Sequence, residues 1–266
     1  MSQLRAVAAG FGWRSPRPPA GARLVLAGVG VGVLAAWVAM LAMLGTMHHG
    51  GAPAAGGDPG TMGMVGMPGM AGSSGRVGLA SGVEMWTLMV VAMMLPSALP
   101  AVRHVGVGSL RWRRRRAMVT FVFGYLGGWL VFGAAAAFVL DAWPGLDTEL
   151  VAAGALAVAF AWQLTPSKRR ALSDCHRPSP LPPRGWRATA GVLRFAGLNS
   201  LACIRSCWAL MLATALTHSM PVFWMVAITG IVTVEKFAAK PRQAARVAAV
   251  LLAAGAFLTG LSALTP

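Results

Sequence analysis

Residues 24–44 read LVLAGVGVGVLAAWVAMLAML, without a charge or a proline. A helix rises 1.5 Å per residue, so about 20 apolar residues cross the roughly 30 Å hydrocarbon core of a bilayer. The run therefore predicts a membrane-spanning helix. Its residues are continuously apolar rather than alternating, which argues against a β-barrel strand. Gly28, Gly30 and Gly32 predict a close-packing face. The segment Ala52-Pro53-Ala54 resembles a signal-cleavage site. The apolar core is nevertheless longer than the roughly 7–15 residues of a signal peptide, so a retained anchor is expected.

Outward from this segment the pattern repeats. The chain is 56% hydrophobic and only 11% charged, with a mean hydropathy of +0.65. A soluble domain carries about 25% charged residues. Further apolar runs predict spans at 83–102, 117–140, 150–164, 198–219, 221–235 and 247–264. The expected fold is thus all-α, a polytopic transmembrane helical bundle of about seven spans. Residues 1–44 would hold a cytoplasmic N-terminus and the first helix, and 45–82 a flexible Gly- and Met-rich outer linker. Residues 83–240 would form the membrane core and 241–266 the last helix. An interfacial helix is expected at Trp186–Phe195, just before the fifth span.

The net charge is +16, which would suit a nucleic-acid partner. That partner is excluded by where the charges lie. With the N-terminus in the cytoplasm, every Lys and Arg except Arg76 falls on the inner side, while Asp58, Glu84, Asp141, Asp147 and Glu149 fall outside. This is the positive-inside pattern of an inner-membrane protein, whose first partner is the lipid bilayer. Cys175, Cys203 and Cys207 then lie where disulfides rarely persist, leaving thiols for metal or redox chemistry.

Thioether and thiolate sulfur are soft ligands that suit Cu(I). The outer linker opens with Met47, His48 and His49 and continues through Met62, Met64, Met67 and Met70, a pattern suited to metal capture. In the second span Met85, Met89 and Met93 recur every fourth residue on one helical face, with Met94 beside them. Pro96 frees the carbonyl of Ala92 and predicts a kink at Met93 and Met94. In the fifth span Cys203, Cys207 and Met211 share a face, with His218 above. Counted from the outer ends of the helices, Met93, Met94 and Met211 all lie about 14–15 Å deep and Cys207 about 20 Å. Methionine and buried cysteine also serve simply as packing, the alternative explanation for both stripes.

The ordered motifs Trp86-x-x-Met89, Ala92-Met93-Met94-x-Pro96, Gln163-Leu164-Thr165-Pro166-x-Lys168-Arg169, Cys203-x-x-x-Cys207-Trp208-x-Leu210-Met211, Met220, Trp224-Met225 and Glu235-Lys236 cover roughly residues 80–240. They resemble the bacterial predicted metal-binding integral membrane protein family (domain of unknown function 2182). The resemblance implies a membrane protein that handles copper, with copper-handling proteins as partners. Family members often carry a further cysteine at the position of Ser206 and another at that of Ala171.

These features predict a protein that binds Cu(I) through Met85, Met89, Met93, Met94, Cys203, Cys207, Met211 and His218. The competing expectation is a structural or assembly subunit with no metal. No paired carboxylates or Ser/His dyad suggest an enzyme. One ion pair is also expected. Arg205 precedes the turn at Met220 by fifteen residues and Glu235 follows it by fifteen, so a tight hairpin would bring the two to one depth.

Overall fold

The computed structural model describes residues 20–49, 76–141, 149–175, 181–182, 184–216, 221–237 and 241–264. Among these there are nine helices and no strand. They are α1 (Ala20–His49), α2 (Arg76–Met93), α3 (Leu95–Gly108), α4 (Arg114–Asp141), α5 (Glu149–Leu164), α6 (Pro166–Asp174), α7 (Gly185–Leu216), α8 (Pro221–Phe237) and α9 (Pro241–Leu264). By length and apolarity, Gly21–Ala42, Arg114–Leu140 and Gly185–Leu216 can each cross a membrane. The number rises to five if two bent pairs each count as one span. α8 has 17 residues, and α9, Pro241–Leu264, holds the apolar stretch Val247–Leu258 among the described residues.

The first bent pair is α2 and α3, which meet at 64°. The break falls at Met94, where the sequence places it, because Pro96 has no N–H to continue the ladder. The carbonyl thus freed at Ala92 accepts from Trp37 Nε1 on α1 at 3.2 Å. The Met94 carbonyl accepts from Ser97 Oγ at 2.6 Å and from Tyr125 OH on α4 at 3.3 Å. Every carbonyl named at the break has found a partner, which is what lets the break sit in the core.

The second bent pair, α5 and α6, meets at 72°. Thr165 is extended (φ −70°, ψ 143°), as a residue before proline tends to be, and its hydroxyl accepts from the Lys168 N–H. Pro166 occupies the first turn, where its missing donor is no loss. Residues 166–174, the polar and basic stretch that follows the fourth expected span, therefore form a helix that buries Lys168 and Ala171. The mixture of three basic residues with proline masks a helix with one inward face.

α7 is a single helix of 32 residues, merging the expected interfacial helix and the fifth span. Gly185 takes the left-handed conformation (φ 72°) at its start. Arg113, just ahead of α4, donates to the Gly185 carbonyl at 3.4 Å and to Thr189 Oγ1 at 3.1 Å, tying the two helix starts together. α7 packs against α4, α5, α6 and α8, so it is the central element. Its closest neighbour is α4. A Cβ at Gly124 would meet that of Ala196 at 3.0 Å, and one at Gly128 would collide with Ser200. The Gly124-x-x-x-Gly128 spacing is thus a close-packing face. Gly28, Gly30 and Gly32 are not. A Cβ at any of them meets nothing within 4 Å.

Candidate metal site

The two thiols of α7 sit one helical turn apart on its inward face. Cys203 is fully buried and Cys207 nearly so, and the two interact directly. Two other helices reach Cys203, with Tyr125 OH of α4 3.1 Å and Lys236 Nζ of α8 3.0 Å from its Sγ. Lys236 also donates to Ser97 Oγ of α3 at 2.8 Å. Ser206 donates to the Cys203 carbonyl at 2.8 Å, and its oxygen lies 3.3 Å from Cys207 Sγ. Tyr125 and Lys236 therefore each bridge the α2–α3 break to Cys203. The break and the thiol pair, 109 residues apart from Met94 to Cys203, form one locus.

The methionines behave differently from a solvated stripe. Met85, Met89, Met93, Met94 and Met211 are all buried in the core that contains the two cysteines, and the last four are fully enclosed. His218 lies outside the described residues, as do Met62, Met64, Met67 and Met70. Met47, His48 and His49 form the last turn of α1, which continues past the expected helix end at Leu44. The third thiol, Cys175, follows the C-terminus of α6 and is partly buried. Burial pushes it up to about 11, and its interacting groups include Lys236, Cys203 and Ser206.

The ion pair forms with a different partner. Glu235 is buried and meets Lys168 Nζ at 2.7 Å through Oε2, while Gln163 Nε2 donates to its Oε1 at 2.8 Å. Arg205 is exposed on α7. The hairpin argument considered only the two helices flanking Met220. The bend at Thr165 folds α6 back and delivers Lys168 to the same place.

Sequence reasoning quoted Lys236 within a motif and Ser206 as the position of a family cysteine but gave neither a role, and it did not reach Tyr125 or Ser97. One signal was available. The chain has three lysines among 23 basic residues, and of these Lys168 is buried and Lys236 half-buried. Tyr125 is the chain's single tyrosine, set in an otherwise apolar run, and a buried tyrosine needs a partner for its hydroxyl.

Among the described residues, no three or more His, Cys, Asp or Glu side chains are grouped to hold a metal ion. The donors at hand are two thiols within a methionine-rich core. That set fits a soft d10 cation, which is satisfied by few ligands, better than zinc, which takes four. The fold and this locus together define an all-helical bundle with a buried soft-donor centre. Residues 83–259 match the family model described as PpoB2, copper chaperone, and the chain belongs to that family. At the level of a copper-related family, the resemblance carried by the motifs holds. No curated protein and no solved structure matches the chain.

Proposed function

We propose that this chain is a multi-pass protein of the bacterial inner membrane that takes up Cu(I) from the outer side and stores it or hands it on to other copper-handling proteins. Cys203 and Cys207 are the anchoring ligands. Met93, Met94 and Met211 supply exchangeable thioethers above them, and Met85, Met89 and His218 extend the path outward. Met47, His48 and His49 serve as the capture point. The observation that carries this reading is the buried thiol pair joined through Tyr125 and Lys236 to the helix break at Met94. Membership of a copper chaperone family supports the cargo. A pair of thiols used only for packing would have no use for a lysine and a tyrosine directed at one sulfur.

The test is metal retention by protein purified in detergent under reducing conditions. Wild type should keep Cu(I) against a weak chelator. A Cys203→Ser/Cys207→Ser variant should lose at least about 100-fold in affinity, since each thiolate is a principal soft ligand. Equal retention by the two proteins would overturn the assignment.

A further inference from the structure

Two cysteine thiolates and one Cu(I) carry a net charge of −1, and a net charge is costly in a buried centre. The nearest charged groups decide whether it is balanced. Glu235 and Lys168 neutralise one another at 2.7 Å and contribute nothing net. Arg205 is exposed on α7. Lys236 is the charged group in direct contact with the thiol pair, its ammonium 3.0 Å from Cys203 Sγ and 2.8 Å from Ser97 Oγ. Resting on the copper reading above, we propose that Lys236 is the counter-ion of the thiolate pair and makes the site selective for a monovalent cargo.

The selectivity follows from charge alone. With Lys236 in place, a dithiolate holding Cu(I) is neutral, whereas one holding a divalent cation is left at +1. Remove the ammonium and the order reverses. The dithiolate with Cu(I) becomes −1, and with a divalent ion it becomes neutral. A site made only of soft donors would not separate Cu(I) from Cd(II), because thiolate accepts both. Lys236 adds the discrimination that ligand softness lacks. Its ammonium is also held by Ser97 on α3, so it bridges that helix and the sulfur.

Ag(I) and Cd(II) serve as redox-inert probes of one and two charges. Both are titrated into detergent-purified wild type and into Lys236→Met, and the Ag(I)/Cd(II) affinity ratio is compared. The ratio should fall at least about tenfold in Lys236→Met, with Ag(I) weakened and Cd(II) strengthened. Lys236→Arg, which keeps the charge, should stay close to wild type. A loss of both ions together, or an unchanged ratio, would overturn the proposal, because general damage to the site does not reverse a preference. If Lys236→Met does not fold, Lys236→Gln keeps a donor for Ser97 while removing the charge. Wild type that binds neither Ag(I) nor Cu(I) would fail the copper reading itself. Wild type that binds both, with an unmoved ratio in the variants, would fail only the counter-ion.

Discussion

α1 and α7 both pass the test for a membrane-crossing helix, yet they occupy opposite positions. The apolar window of α1 is 17% buried inside the protein and that of α7 is 61% buried. α1 turns Leu24, Val31, Leu34 and Val38 outward. α7 buries Asn199, Ser200, Ser206 and Thr214 along with its two cysteines. The less apolar helix is the more enclosed. In water the reverse is expected, since apolar surface drives burial. In a bilayer the outside is the apolar phase, so the helix that carries hydroxyls and thiols must find its partners in protein. The inversion is what a protein built for lipid would show, and the enclosed helix is the one that carries the buried thiol pair.

The sharpest way to break this contrast is through the charges packed beside α7. Glu235→Leu strands Lys168 in the core and should cost about 3–5 kcal/mol, whereas Lys168→Met/Glu235→Leu together should recover most of the loss. Denaturant unfolding in detergent reads both variants. Two full and additive losses would show that the pair does not act as a unit.

A smaller effect separates the two helices at their glycines. Gly128→Ala presses α4 against Ser200 of α7 and should cost about 1–3 kcal/mol. Gly30→Ala in α1 has open space and should be neutral, or stabilising by up to about 1 kcal/mol through helix propensity. Thermal unfolding of the two variants should shift in opposite directions, or at least unequally. Matching shifts would mean that both faces are equally packed.

The smallest effect tests the one hydrogen bond that α1 makes to the break. Trp37→Phe removes the donor to the Ala92 carbonyl and should cost about 1 kcal/mol. Protection of backbone amides in 95–98 against exchange should fall in the same variant. Unchanged stability and protection would show that the kink is held without α1.

Two features of the candidate site were legible before any coordinates. The kink followed from Pro96, and the thiol face followed from the four-residue spacing of Cys203 and Cys207. Both are local consequences of covalent geometry and helical period. The partner of Glu235 was not legible. The symmetry of a hairpin favoured Arg205, and only the fold-back of α6 makes Lys168 the nearer charge. Lys236 was obscured for a related reason. A basic residue at the inner end of a span satisfies the positive-inside pattern, so only the scarcity of lysine in the chain sets it apart.

The sequence by itself determined that the chain is helical, that soft donors line one face each of α2 and α7, and that the first of these ends in a break. Those features depend on neighbours within about four residues. Only the tertiary structure decided which polar groups surround the sulfur. Lys236 reaches Cys203 across 33 residues and Ser97 across 139, and Tyr125 reaches Cys203 across 78. Contacts of that range depend on how whole helices pack. A helix whose polar residues have partners in protein can be buried at the centre of a bundle, and one without them is left at its edge.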